Sequence, residues 1–244
     1  MEPLEAVMSI NTQSGPMELD LARTAVIVVD MQNDFGAPGG MLDRAGVDIS
    51  GIQAAVAPTA LLLDAARQAG VKIVYLKMGF RPDLSDLGAT DSPNRIRHLA
   101  FGVGQEVSTP KGTTGRMLIR DTWNTDIVDE LAPEAGDTIV YKHRFSGFYE
   151  TELHDILQGF GVKYLIFTGC TTSICVESTI RDAMFRDYHC LLLGDCSAEP
   201  IGSELPRSNH DASVLVLQML FAWVSDSSEL LAALSREPVL SGRS

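Results

Sequence analysis

Residues 24–30 read TAVIVVD, and no other stretch restricts the fold as much. Its apolar, largely β-branched residues do not alternate with polar ones, so a strand built from them must be covered on both faces. Similar runs stand at 71–76 (VKIVYL) and 164–168 (YLIFT), with shorter ones at 138–141, 190–193 and 222–224. Helical composition fills the intervals: 52–69, rich in Ala and Leu and stopped by Gly70, then 151–160, 174–186, 211–220 and 227–234. Strands alternating with helices predict an α/β fold, a parallel sheet with helices on both faces and right-handed crossovers.

In a doubly wound sheet the ligand crevice lies beyond the carboxyl ends of the strands. Asp30 closes the first strand, Lys142 the third, and Cys175 opens the helix that follows the small, turn-prone residues 168–173. Each has two readings. Asp30 is a catalytic acid or a cap for nearby N–H groups. Lys142 is a catalytic cation or a surface lysine with its stem over apolar neighbours. Cys175 is a nucleophile, its thiolate favoured by free N–H groups and the positive end of a helix, or a small buried hydrophobe. The coincidence of all three at one end of the sheet favours chemistry.

With 244 residues, 45% of them hydrophobic, the chain has material for one large core. A single domain is expected over 24–236, after an extended or partly ordered arm at 1–23 and before a tail at 237–244. A net charge of −13 argues against nucleic acid or an anionic membrane surface as partner. Residues 1–21 lack the basic start and apolar run of a signal peptide, and no stretch is long and apolar enough for a bilayer span, so a cytoplasmic protein is expected. The cysteines at 170, 175, 190 and 196 then read as thiols. Cys170 and Cys175 match neither zinc-ligand nor Cys-x-x-Cys spacing, and the five histidines are scattered, so no metal site is expected. Residues 77–120 show no clear periodicity and suggest a structured insertion over the active face. The PKGTTGR run at 110–116 lacks the ending of a phosphate loop and follows no clear strand.

Three stretches, VIVVDMQNDF at 26–35, IVYKHRFSGFYET at 139–151 and TGCTTSICVESTIRDA at 168–183, make the sequence resemble the isochorismatase-like cysteine hydrolases. The resemblance implies a six-stranded parallel sheet of order 3-2-1-4-5-6, a catalytic triad of Asp30, Lys142 and Cys175, and a cis peptide between Cys170 and Thr171. It further implies an oxyanion hole made by the backbone N–H groups of Thr171 and Cys175, C–N hydrolysis through a thioester, no cofactor, and assembly as a homo-oligomer, dimer or tetramer. KMGFRPDLSDLG at 77–88 has no histidine, unlike the metal-binding nicotinamidases, and Cys175 separates the chain from isochorismatases that cleave a vinyl ether.

RFSGFYET and CVESTIRD look like ureidoacrylate amidohydrolases, whereas GFRPDLSDL is similar to biuret and triuret hydrolases. Both kinds of substrate end in a carbamoyl group, so a small ureido or carbamoyl amide is expected, with its tail open. Expected tail contacts are Gln32, Asn33 and Phe35 after the aspartate, and Arg81, Asn94, Arg95 and Arg97 from the insertion, where an arginine would bind a carboxylate bidentately. Phe148 and Tyr149 are expected as pocket walls. The competing class is a catalytically silent α/β binding protein, or a thiol redox protein using Cys170 and Cys175.

Overall fold

The computed structural model describes residues 7–235; the start of the arm and the tail expected at 237–244 lie outside them. An antiparallel hairpin of β1 (Val7–Ile10) and β2 (Met17–Asp20) precedes the first central strand, β3 (Thr24–Val29). Two single-turn helices, α1 (Asn33–Gly36) and α2 (Met41–Arg44), lead to the long α3 (Ser50–Gln68) and to β4 (Lys72–Met78). The insertion follows, with α4 (Pro93–Ala100) and a small hairpin of β5 (Glu106–Ser108) and β6 (Thr114–Arg116). Then come β7 (Thr138–Lys142), α5 (Leu153–Gly159), β8 (Tyr164–Cys170), α6 (Glu177–Met184), β9 (His189–Ala198), α7 (Asn209–Leu220), β10 (Trp223–Ser225) and α8 (Ser227–Leu234). No described helix is long and apolar enough to cross a membrane.

The six central strands are parallel and lie in the order β7-β4-β3-β8-β9-β10, which in chain order is the expected 3-2-1-4-5-6. All six residues of β3 are buried, and their side chains divide between two cores as the strand period of two requires. Val26 and Val28 face α3, α8 and the β1–β2 hairpin, while Ala25, Ile27 and Val29 face α5, α6 and α7. Burial of each such valine or isoleucine contributes about 1.5–3 kcal/mol. A third cluster, centred on Phe80, Leu87, Val103 and Ile119, lies under the insertion.

Three features differ from the sequence-based picture. The arm is ordered from Val7 as a hairpin, because VMSI and MELD bury alternate residues, placing Met8, Ile10, Met17 and Leu19 in the core. The insertion holds a helix and a hairpin too short to leave a periodic signal, and the run at 110–116 forms the turn and second strand of that hairpin. The last strand of the sheet's interior, expected to stop near residue 193, continues to Ala198 across an irregularity opposite Phe167 and Gly169.

Gly169 has φ +112°, and a Cβ there would overlap the Val29 carbonyl. Gly169→Ala is therefore expected to destabilise the protein by about 1–3 kcal/mol or more, since backbone on the neighbouring strand must move. Thermal melting measures this; an unchanged melting temperature would show that the strand yields freely.

Candidate active site

The strand order reverses between β3 and β8, which makes the carboxyl ends of these two strands the natural crevice. Asp30 follows β3 with φ 52°, its N–H bonded to the Leu76 carbonyl at 2.9 Å and its Oδ1 accepting from the Met78 N–H at 2.9 Å. Lys142 is the last residue of β7, two strands away across β4. Neighbouring strands are about 4.8 Å apart, a gap that a lysine stem can bridge over the strand between. Its Nζ lies 3.7 Å from the sulfur of Met78, the β4 residue in between, donates to the Arg144 carbonyl at 3.3 Å, and reaches Asp30 Oδ2 at 2.7 Å. Both members of this ion pair are essentially sealed from solvent, 0% and 1% exposed.

Cys175 comes to the same point from β8. The Cys170–Thr171 peptide is cis, and the chain then forms a π-helical turn, Thr172–Val176, before α6 begins. The cysteine thus sits in that turn rather than in the first turn of the α-helix. Its thiol lies close enough to Asp30 and Lys142 for both charges to act on it. The second thiol, Cys170, is directed at the Asp30 carbonyl at 3.1 Å.

Burial dominates the electrostatics. It pushes the Cys175 thiol up to about 12, with Lys142 only partly offsetting it, so the resting sulfur is a thiol and not the thiolate that a helix start alone would favour. Asp30 is likewise raised by burial against the pull of Lys142. For Lys142, burial opposes the charged form, but the Asp30 carboxylate beside it pulls the other way, and the ammonium is held above its ordinary value. The resting state is an ion pair beside a neutral thiol, with a carboxylate made more basic than usual next to the proton it would take. Among the described residues, no three His, Cys, Asp or Glu side chains cluster as metal ligands would.

Asp30, Cys175 and Thr171 line one cavity of about 320 Å³. Of the expected tail contacts, Phe35 and Arg97 line it as well. The others are engaged elsewhere. Gln32 is fully buried and bonds the Met78 and Thr125 backbone, and Asn33 donates to the Trp123 carbonyl at 2.8 Å. Asn94 and Arg95 bond carbonyls at 84–88 within the insertion, while Arg81 lines a separate polar depression with Arg120 and Glu150. Phe148 is core, stacked on Tyr188, and Tyr149 stands 46% exposed beside His143.

The chain carries further site residues that the sequence reading did not single out. Phe101, Phe145, Ile174 and Ile201 line the cavity, contributed by segments with no common periodicity. Glu199, directly after β9, accepts from the Ser173 N–H and Oγ–H and from the Ile201 N–H, tying the turn that carries Cys175 to the cavity wall. The rule that picked out Asp30, an acid at the carboxyl end of a parallel strand, misses it because the strand was expected to stop near residue 193 and runs on to Ala198. Asp34, raised to about 6 by burial, accepts from Met41 N–H, Asn124 and Leu118 N–H and fixes the insertion over the crevice.

Glu199→Ala is expected to cost about 1.5–3 kcal/mol of stability, the range for hydrogen bonds to a charged group, and to lower kcat because the 171–175 turn loses its tether. Melting temperature and turnover measure the two effects, and Glu199→Gln should retain part of each. Wild-type values in the alanine variant would remove Glu199 from this role.

Comparison with known proteins gives a consistent picture. The isochorismatase domain family model matches residues 24–229. The ureidoacrylate amidohydrolase RutB of Methylobacterium radiotolerans is 39% identical over 226 residues, covering 91% of this chain and 85% of that one. The protein of the same name from Serratia proteamaculans is 38% identical over 224 residues, covering 91% and 88%. Among solved structures, a cysteine hydrolase from Pseudomonas syringae pv. phaseolicola superposes with a TM-score of 0.73 at 32% identity, covering 88% of this chain and 94% of that one. The N-carbamoylsarcosine amidase of Thermoplasma acidophilum gives 0.63 at 26% identity, covering 85% and 98%.

Proposed function

The chain belongs to the isochorismatase family, and from that membership we propose that it is a cysteine-dependent amidohydrolase cleaving the C–N bond of a small ureido or carbamoyl amide. One observation carries the reading: a sealed Asp30–Lys142 ion pair, 2.7 Å long, within reach of the Cys175 thiol at one wall of a cavity. An acid and a base that only stabilised the fold would gain nothing from a neighbouring thiol open to that cavity. The names of the relatives, an amidohydrolase acting on ureidoacrylate and an amidase acting on N-carbamoylsarcosine, support the same class of bond.

The chemistry follows from charge and reach. Asp30 takes the Cys175 proton as sulfur attacks the carbonyl carbon, and Lys142 stabilises the negative charge that this transfer leaves on sulfur. The carbonyl oxygen becomes an oxyanion beside the Thr171 and Cys175 N–H groups. As the intermediate collapses, Asp30 returns the proton to the departing nitrogen, and ammonia or an amine leaves. The product on the enzyme is a thioester, or a thiocarbamate when the substrate is a urea. Water, deprotonated by Asp30, then displaces the sulfur, and the proton goes back to Cys175. The four cysteines are free and buried, which fits a reducing cytoplasmic setting. The exposed Leu215, Val216, Met219 and Leu220 of α7 support a homo-oligomer.

Incubation with biuret, ureidoacrylate, N-carbamoyl amino acids and simple amides, following ammonia, tests the reaction. Rapid quenching and peptide mass analysis should find the acyl or carbamoyl group on the peptide bearing Cys175; steady ammonia release with that peptide always unmodified would rule out the covalent route. The pH profile adds a sign. Asp30 works as a carboxylate, and burial lifts its pKa above the ordinary 3.8, so kcat/KM should rise with pH through a value above 3.8 and fall away on the acid side. A wild-type profile that stays flat on the acid side down to pH 3.8 would take Asp30 out of this role.

A further inference from the structure

We propose that the substrate's non-reacting part is a hydrocarbon tail, alkyl or aryl, so that this chain acts on a tail-bearing ureide or primary amide and not on a compact polar one. This rests on the amidohydrolase reading of the triad and concerns the same cavity. Three observations carry it.

The first is the character of the walls. Away from Asp30, Cys175 and Thr171, the cavity is bounded by Phe35, Leu42, Val47, Phe101, Phe145 and Ile201 together with other apolar side chains. At about 320 Å³ it has the size of pockets that enclose drug-sized ligands, about 300–1,000 Å³, and exceeds what a carbamoyl head alone would fill.

The second is the state of the rim. Phe101 is 65% exposed, Ile201 53% and Phe145 44%, yet all three converge on this opening. Large apolar groups held in water around one mouth gain by closing on an apolar ligand.

The third is the scarcity, among the described residues, of a partner for an anion inside. His98 is the one histidine among the described wall residues; its Nδ1 bonds the Asn94 carbonyl at 2.7 Å, its ring packs edge-on against Phe80, and burial disfavours its charged form. Arg95 is engaged by carbonyls and Arg81 opens onto the separate polar depression. Arg97, an exposed residue of α4, is the arginine among the described residues that line the cavity. A carboxylate held away from Arg97 would be drawn into hydrocarbon without a counter-charge, which is strongly unfavourable.

The test is a homologous series sharing one head: methylurea, butylurea and hexylurea, with ureidoacrylate and biuret as polar members. On the wild-type protein, kcat/KM for ammonia release should rise about four-fold per added methylene until the cavity is filled, the factor expected from burying each CH₂. In parallel, calorimetry on Cys175→Ala should show Kd tightening by a similar factor along the alkyl series. Faster turnover of ureidoacrylate or biuret than of hexylurea would overturn the tail while leaving the amidohydrolase reading intact. A Kd that does not change with chain length would overturn it too. No ammonia from any compound, with affinity still rising along the series, would instead remove the proposed reaction and keep the apolar specificity of the site.

Discussion

Cys175→Ala should lose at least about 10⁴-fold in kcat/KM for ammonia release while retaining its fold, because the nucleophile acts as a unit with its base and no other thiol reaches the carbonyl. That factor corresponds to about 5 kcal/mol of transition-state stabilisation. Alanine leaves the Asp30–Lys142 ion pair in place and puts a methyl group where a buried thiol was, so the melting temperature should move little. Cys190 is the control. Its thiol is also pushed up to about 12 by burial, yet it faces only the Ile180 and Tyr188 carbonyls and no charged group. Cys190→Ala should therefore keep its activity and lose stability, the reverse pattern. Equal ammonia release by wild type and Cys175→Ala would end the proposed mechanism.

The second large effect concerns the ion pair itself. Lys142→Met leaves the Asp30 carboxylate sealed without its cation, and Asp30→Asn leaves the ammonium likewise; each should destabilise the protein by about 3–5 kcal/mol. The double variant Asp30→Asn/Lys142→Met removes both charges and should recover much of that loss, since a buried pair replaced by neutral groups of similar volume is often close to neutral. All three should be inactive. Denaturant unfolding of the four proteins closes the cycle. Single-variant losses below about 1 kcal/mol, the range of exposed pairs, would show that water reaches this site.

The central sheet was legible because its strands are buried on both faces: TAVIVVD cannot sit at a surface, and the interposed helices force a parallel arrangement. Ser227–Leu234 lies where the composition puts it. The meeting of Asp30, Lys142 and Cys175 was legible through position, since residues beyond the carboxyl ends of strands in one sheet share a crevice, although Lys142 has to reach it across the intervening β4. Sequence adjacency misled at Gln32 and Asn33. The left-handed turn at Asp30 swings the chain back into the protein, where their amides satisfy backbone groups of Met78, Thr125 and Trp123. The thiol's protonation state was misjudged for another reason: the neighbouring cation and helix start were visible in the sequence, whereas the depth of burial that outweighs them was not. The cavity wall was illegible because scattered apolar residues become a surface only once the insertion has folded over the crevice.

The hairpin at the amino terminus has a consequence for what counts as the folding unit. Gln13 donates to the Val224 carbonyl at 2.9 Å, Ser225 to the Asn11 carbonyl at 2.6 Å, and Asn11 to Glu229 at 3.0 Å, so the earliest and latest described segments clasp each other. The stretch shared with the family begins at residue 24 and stops at 229, inside α8. A protein trimmed to those borders would bare the oily side of α3 and what remained of α8, and would be prone to aggregate for reasons unrelated to its chemistry.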